Sequence, residues 1–180
     1  MTVAYSDALL RFKTLIKSDY KNHDSKKKKE ERMNLLEWYV HNCPSNRGPE
    51  KSKKFADYGI KSGADYKELK SQIISSIGLK KNDTYIYCSN GKEMENLIDK
   101  IENVYSSRRK AIIYFSNGEY KEMDSLYIRI RNSFAHGNHF KIRDYYYLWN
   151  ETGSKQKKLG SFMVLKYEHL KSIYNALDNH

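Results

Sequence analysis

One short segment of this 180-residue chain carries the residue types that proton transfer next to a phosphate requires. An arginine, Arg131, and a histidine, His136, stand five positions apart in the run R-N-S-F-A-H. Histidine titrates near neutral pH and can carry a proton, whereas arginine stays charged and can hold a phosphate oxygen. RNA supplies its own nucleophile, the 2′-hydroxyl, so these two groups form a minimal set for cleaving it. We take Arg131, His136 and Asn132 as the candidate catalytic residues, with Asn132 orienting either the imidazole or the motif of a partner subunit.

The spacing limits how the arginine and the histidine can meet. A helix that ends in the motif is predicted by the apolar residues Met123, Leu126, Tyr127, Ile130 and Phe134. On an ideal helix Arg131 and His136 are about 140° apart, so they do not lie side by side. Either the helix loosens at Gly137, or the long arginine side chain wraps around, or each Arg131 meets the His136 of a second copy. Arg129 lies within about 20° of His136 and is a second candidate for the catalytic arginine.

A structural role explains the same residues without chemistry. A histidine in the last turn of a helix is stabilised by the negative end of the helix dipole. Gly137 is a natural left-handed terminator, and Arg129 and Arg131 would then be surface charges. The sequence pattern alone leaves both interpretations open.

The longer run L-Y-I-R-I-R-N-S-F-A-H-G-N-H-F resembles the HEPN family of helical ribonucleases and nucleotide-binding modules, whose shared signature is an arginine followed by a histidine after four to six residues. The resemblance implies an α-helical bundle and a homodimer with the two motifs facing each other. It further implies metal-independent endoribonuclease activity that leaves a 2′,3′-cyclic phosphate. A role as a toxin or a phage-defence effector, restrained by an antitoxin or another regulatory protein, is implied as well.

Two alternatives to catalysis remain at this point. One is a non-catalytic HEPN-like module that binds a nucleotide or a partner protein through the same surface. The other is a basic nucleic-acid scaffold whose affinity is spread over its lysines.

One departure from the family concerns control: toxins regulated by a nucleotidyltransferase commonly carry a tyrosine two positions after the histidine, where this chain has Asn138. Control through that position is not expected, although the tyrosines at 145–147 keep modification open.

The charge balance favours an anionic partner. With 33 Lys and Arg against 22 Asp and Glu, the net charge is +11, and such a field attracts polyanions. We therefore predict RNA as the substrate, in a single strand or a tRNA loop where nucleotides are accessible. The predicted substrate-binding residues are the cationic side chains around the motif, namely Arg129, His139, Lys141 and Arg143.

Composition defines the class of protein. The length and an apolar content of 39 % indicate one folded domain, residues 1–180. No apolar stretch reaches the length of a membrane span and the N-terminus lacks the pattern of a secretion signal, so a cytoplasmic location is expected. Cys43 and Cys88 stand far apart without a C-x-x-C, which predicts buried apolar residues and neither a disulfide nor a zinc site. No metal and no cofactor are predicted.

Helical periodicity dominates the first half of the chain. A helix is predicted behind Ser6, and a second one ends at Pro44. The basic run Lys26–Lys29 is interpreted as a solvated helical face, with a phosphate-binding patch as the alternative. Residues 44–63 are predicted to form a long loop. The next helix is predicted to begin with a capping box at Asp65 and Glu68 and to end at Gly78.

The second half adds a repeated cap and a change of pattern. Ser-Asn-Gly occurs at 89–91 and at 116–118, each time between a short apolar run and a predicted helix. The aromatic run 145–149 and the apolar run 162–165, separated by a polar turn, predict a β-hairpin. The aromatic run either packs on the helices or stacks nucleobases. The predicted fold class is mainly α, a HEPN-like helical bundle with a small β-hairpin after the motif helix.

Overall fold

The structure, a computed structural model, describes residues 4–21, 29–44, 53–107, 110–117 and 121–178, without side chains at 29–32. A single turn of π-helix, Trp38–Asn42, follows α2, and a 3₁₀ turn, Phe55–Tyr58, precedes α3. In chain order the strands and helices of the described residues are β1 Ala4–Tyr5, α1 Asp7–Lys21, α2 Lys29–Glu37, α3 Gly63–Ile77, β2 Tyr85–Cys88, α4 Gly91–Glu95, α5 Ile98–Ser107, β3 Ile112–Ser116, α6 Glu122–Ala135, β4 His139–Ile142, β5 Tyr145–Thr152, β6 Gln156–Lys166 and α7 Tyr167–Asp178.

The strands of the described residues form one mixed sheet in the order β2-β3-β6-β5-β4. β2 and β3 are parallel and are joined through α4 and α5. The pairs β3–β6, β6–β5 and β5–β4 are antiparallel. β1 pairs in parallel with the beginning of β6, at Gln156 and Lys157. Because β3 and β4 are separated by two strands, α6 has to cross the sheet to connect them.

The prediction of a mainly α-helical, HEPN-like bundle is wrong. The runs Y-I-Y-C and I-I-Y-F-S are β2 and β3. Both are too short to show a clear alternating pattern, and β3 is also buried along its whole length. The predicted hairpin is confirmed by the pairing of β5 with β6, but these strands lie inside a sheet and not on the side of a bundle. β6 is buried on both faces from Leu159 to Leu165, so its sequence from Phe162 to Leu165 is a continuous apolar run.

Helices cover both faces of the sheet, and successive side chains of each strand enter opposite layers. Phe115 of β3 packs with residues of α2, α3, α6 and α7, whereas Tyr114 packs with residues of α1, α4 and α5. α6 lies between the sheet and the π-helical turn and contacts β5, β3 and that turn. The two layers therefore hold α6, and the motif at its end, in a fixed place.

Local signals placed most helix boundaries correctly. The Oγ of Ser6 accepts a hydrogen bond from the N–H of Leu9 at 3.3 Å, as the prediction of an N-cap requires. Gly78 ends α3 in a left-handed conformation, with φ of 72°. The predicted start of α3 is wrong, because Ser62 caps the helix and Asp65 is its reciprocal partner rather than the first residue of the box.

The predicted loop at 44–63 is only partly a loop. Residues 45–52 lie outside the described residues, but the 3₁₀ turn that follows them buries Phe55 completely, and Ile60 is buried as well.

Most of the basic run, residues 26–28, also lies outside the described residues, as does Gly118 of the second Ser-Asn-Gly. The first Ser-Asn-Gly behaves as predicted, since Asn90 Oδ1 caps α4 by accepting the N–H of Glu93 at 3.0 Å. None of the described helices is both long enough and apolar enough to cross a membrane.

Candidate active site at the end of helix α6

Helix α6 carries the predicted catalytic residues on the turn where it leaves the core. Its buried face includes Leu126, Ile130 and Phe134, so the apolar spacing fixes how the helix is rotated on the sheet. The helix ends at Ala135, and His136 is its C-cap residue, with non-helical angles of φ −96° and ψ 3°. Gly137, with φ of 68°, then turns the chain into β4.

Three motif residues, which we call the outer group, lie at the protein surface. Arg131 and Asn132 are half-buried and His136 is exposed. Their side chains make no hydrogen bond or ion pair with the residues that the structure describes. Arg131 lies near Cys43: burial raises the pKa of that thiol, and the positive charge of Arg131 acts in the opposite direction. The outer group is thus free to bind a ligand.

On ideal helix geometry Arg131 and His136 leave α6 on different sides. Arg131 is still inside α6, whereas His136 caps it, so their side chains leave the helix in directions that are about 140° apart on ideal geometry. Arg131 faces the π-helical turn that ends beside Cys43, while the backbone after His136 turns toward α1, where Tyr20 donates a hydrogen bond to the carbonyl of Gly137 at 3.2 Å. The helix therefore separates the two groups.

A second set of polar residues, which we call the inner group, lies beneath the same helix and comprises Arg129, Ser133, His139 and Asn150. Arg129 is 9 % exposed, and its Nη2 donates to the carbonyl of Ser116 at 3.4 Å and to the hydroxyl of Ser116 at 3.3 Å. Gly160 lies at a β-bulge in the β5–β6 pairing. Because Gly160 has no side chain, there is room for the guanidinium: a Cβ at this position would lie 3.0 Å from Arg129 Nη1. The guanidinium is therefore enclosed by strand ends.

The rest of the inner group ties α6 to β5 and β4. Asn150 Nδ2 donates to the carbonyl of Arg129 at 2.6 Å and to Ser133 Oγ at 2.5 Å. Ser133 Oγ also lies 2.8 Å from the carbonyl oxygen of Trp149. His139 is 6 % exposed, with Nδ1 3.3 Å from the carbonyl oxygen of Ser133 and its ring packed on Phe134. These contacts satisfy polar groups in the core and hold the helix on the sheet.

The predicted substrate-binding residues divide between the two environments. Arg129 and His139 are buried in the inner group. Lys141 is half-buried with its ammonium 4.9 Å from the centre of the Tyr146 ring, and Arg143 is exposed in the β4–β5 turn with a left-handed φ of 53°. Only Lys141 and Arg143 are at the surface in this conformation.

The aromatic run after the motif belongs to the core. Tyr146, Tyr147, Leu148 and Trp149 are each at most 4 % exposed, and Tyr147 stacks on Phe140 with ring centres 5.0 Å apart. The interpretation of this run as packing is confirmed for residues 146–149, because buried rings offer no face to nucleobases, whereas Tyr145 is half-buried.

Sequence reasoning missed the roles of Ser133 and Asn150. Asn150 shares a strand face with Tyr146 and Leu148, so the two-residue period of β5 puts a polar amide on an apolar face. A polar residue in such a position requires a buried partner, and that signal was present in the sequence. The identity of the partner depends on α6, which the strand pattern does not reveal.

In the part of the chain that the structure describes, no three His, Cys, Asp or Glu side chains lie close enough together to hold a metal ion. Both cysteines are buried, as predicted, and burial raises the pKa of each thiol, that of Cys88 to about 11. Neither thiol is therefore an available nucleophile near neutral pH.

Comparison with known proteins finds no family model, no curated protein and no solved structure that matches the chain.

Proposed function

We propose that the chain is a metal-independent endoribonuclease in which His136 transfers a proton and Arg131 neutralises the phosphate. One observation carries the proposal: the outer group is at the surface without a side-chain hydrogen bond or ion pair to the described residues, whereas Arg129 and His139 are enclosed by the fold. An imidazole and a guanidinium that these residues do not engage are available to a ligand. The same contrast supports Arg131 over Arg129 as the catalytic arginine.

In the proposed reaction the 2′-hydroxyl of a ribose attacks the neighbouring phosphorus, a 2′,3′-cyclic phosphate forms, and the 5′-oxygen leaves with a proton. His136 accepts the 2′-proton or donates a proton to the leaving oxygen. Arg131 stabilises the charge that develops on the phosphoryl oxygens, and Asn132 orients the imidazole. Lys141 and Arg143, at the surface just beyond the motif, add positive charge for the RNA backbone.

The proposal includes a homodimer in which Arg131 of one protomer acts with His136 of the other. The support is the angle of about 140° that separates the two side chains around α6, since a two-fold axis near the helix end would let opposite flanks of two helices meet. Such an arrangement uses both residues without unwinding α6. It agrees with the facing motifs that the HEPN resemblance implies.

Cleavage of total RNA by the purified protein in EDTA tests the activity. We expect the wild type to cleave and His136→Ala to lose at least about 100-fold in rate, which is the contribution of a positioned proton-transfer group. Arg131→Gln should lose activity as well, whereas Lys17→Gln, which removes the same charge from the exposed face of α1, should not. Activity that the chelator abolishes, or that both motif variants retain, would contradict the proposal.

Mixed dimers test the shared site separately. If each site takes Arg131 and His136 from different protomers, a dimer of one Arg131→Gln and one His136→Ala subunit has one intact site and one doubly defective site. Random mixing of the two inactive variants should then restore about a quarter of wild-type activity. Sites confined to one protomer would leave every mixture inactive.

A role as a toxin or defence effector is part of the same proposal. Expression of the wild type without a regulatory partner should arrest growth of the host cell, and expression of His136→Ala at the same level should not. Equal arrest by both would mean that toxicity does not come from RNA cleavage.

A further inference from the structure

A cleft of about 560 Å³ opens at the other end of α6, between the beginning of that helix and the first half of α3. Four of its nine lining residues are lysines, namely Lys67, Lys70, Lys81 and Lys121, compared with 33 Lys and Arg among the 180 residues of the chain. The fraction of cationic residues in the cleft lining is therefore more than twice that of the whole chain.

The lysines converge from three separate parts of the fold. Lys67 and Lys70 belong to α3, Lys81 precedes β2, and Lys121 is the N-cap residue of α6. A solvated helical face would draw its charges from successive turns of one helix, whereas here the tertiary structure collects them around one cavity. The positive end of the α6 dipole adds to the same potential, and the Lys121 side chain does not cap that end.

One ion pair in the cleft leaves most of the positive charge uncompensated. Lys70 Nζ lies 2.6 Å from Glu122 Oε1, and the hydroxyl of Tyr85 donates to the same oxygen at 2.9 Å. Burial and the neighbouring Glu122 raise the pKa of Tyr85, so the phenol stays protonated and remains a donor. Lys67, Lys81 and Lys121 have no carboxylate partner among the described residues.

Aromatic rings support two of the lysine side chains. The ammonium of Lys121 lies 5.5 Å from the centre of the Tyr66 ring, and that of Lys70 lies 5.3 Å from the centre of the Tyr85 ring. These contacts favour particular positions for ammonium groups that would otherwise be mobile. The cleft thus combines a ligand-sized volume, a positive charge and ammonium donors whose positions are partly fixed.

We propose that this cleft binds adjacent phosphate groups of a nucleotide, either the diphosphate or triphosphate of a free nucleotide or neighbouring phosphodiesters of RNA. Lysine ammonium groups are compact point charges that match phosphate oxygens, and the volume falls in the range of small-molecule sites. The fourteen residues of α6 separate the cleft from His136 by about 20 Å, so it is a second site and does not depend on RNA cleavage.

Calorimetric titration in EDTA tests the proposal with three probes: inorganic pyrophosphate, ADP and a 2′-O-methyl RNA tetramer that cannot be cleaved. The cleft variant is Lys67→Gln/Lys121→Gln, and the matched control is Lys17→Gln/Lys155→Gln, which removes the same charge from exposed positions on α1 and in the β5–β6 turn. We expect the cleft variant to weaken binding of at least one probe about tenfold, a change of about 1.4 kcal/mol, and the control to leave it nearly unchanged.

The probes distinguish the two sources of phosphate. Cleft-dependent binding of pyrophosphate and ADP would identify a free nucleotide as the ligand, and cleft-dependent binding of the tetramer alone would identify RNA. The wild type binding none of the probes, or equal losses in the cleft and control variants, would overturn the proposal. The cleft variant should cause the same loss of binding in a His136→Ala background, so failure of the cleavage proposal and failure of this one give different results. Melting temperatures of both double variants check that they are folded.

Discussion

The inner and outer groups place the same residue types in opposite surroundings on one helix. Arg129 and Arg131 are two positions apart, about 200° around α6, so one enters the sheet and the other reaches the surface. Arg129 finds Ser116 at the end of β3, and His139 finds the carbonyl of Ser133, whereas the outer side chains find no partner in the described residues. The comparison teaches that the fold, through the partners it supplies, decides which charged residues remain available for chemistry.

The largest expected effect comes from the outer group. His136→Ala should reduce RNA cleavage in EDTA by about 10² to 10⁴-fold, because it removes the group that transfers the proton. The melting temperature should stay at the wild-type value, because this exposed side chain makes no hydrogen bond or ion pair with the residues that the structure describes. Cleavage rates and thermal melts of the same preparation check both parts, and a variant with full activity would remove His136 from the mechanism.

His139→Ala, the matched change in the inner group, should show the reverse. It leaves a cavity beside Phe134 and removes the ring nitrogen that lies 3.3 Å from the carbonyl oxygen of Ser133. We expect a loss of about 1–3 kcal/mol in the free energy of unfolding, measured by urea denaturation, with cleavage per folded molecule close to wild type. A stable His139→Ala protein without activity would break the distinction between the groups.

Asn150 of the inner group and Asn132 of the outer group allow the same comparison with two amide side chains. Asn150→Ala removes two buried hydrogen bonds, to the carbonyl of Arg129 and to Ser133 Oγ, and should cost about 1–3 kcal/mol of stability. Asn132→Ala removes an amide that makes no side-chain bond to the described residues and should cost nothing measurable in urea. It should still slow cleavage, because the imidazole loses its orienting partner.

The bulge beneath Arg129 offers a steric test. A methyl group on Gly160 would lie 2.4 Å from Cγ2 of Thr152 and 3.0 Å from Arg129 Nη1, so Gly160→Ala should destabilise the protein by about 1–3 kcal/mol. Adding Thr152→Ser removes the closer methyl and should recover part of the loss. Gly91→Ala, where a Cβ meets nothing within 4 Å, is the control and should leave the protein at least as stable as the wild type.

The smallest expected effect is a pH dependence of stability, and it comes from a residue outside the inner and outer groups. Burial, and next the charge of Lys166, lower the pKa of His169, whose Nδ1 accepts the N–H of Lys166 at 3.3 Å. The unfolded chain therefore binds this proton more tightly, and stability should fall as the pH drops below about 6.5. His169→Asn should flatten that dependence in urea titrations between pH 7.5 and 5.5. If His169→Asn shows the same pH dependence as the wild type, His169 is not the group responsible for it.

Local signals in the sequence predicted local structure well. Ser6, Asn90 and Gly78 act at helix ends as predicted, because a cap needs only the backbone of the next turn. The end of α6 at the motif was also predicted from its apolar spacing and Gly137. The sheet was not predicted, since β2 and β3 are short strands and their pairing is with distant residues.

For the same reason, the sequence could not predict which motif residues are buried and which are exposed. Whether Arg129 or Arg131 is enclosed depends on Ser116 and Gly160, which approach α6 only through the order of strands in the sheet. The lysine cleft likewise collects residues from three elements that are distant in the chain. Residue types and spacing identified the motif, but long-range pairing determined which of its charges remain exposed.

The most direct test of the account is the chemistry of the new RNA ends. Total RNA is incubated in EDTA with the wild type and with His136→Ala, and the number of new 3′ ends carrying a 2′,3′-cyclic phosphate is counted. The account predicts many cyclic ends with the wild type and at least about 100-fold fewer with the variant. New ends that carry a 3′-hydroxyl, or equal numbers of cyclic ends with both proteins, would contradict it.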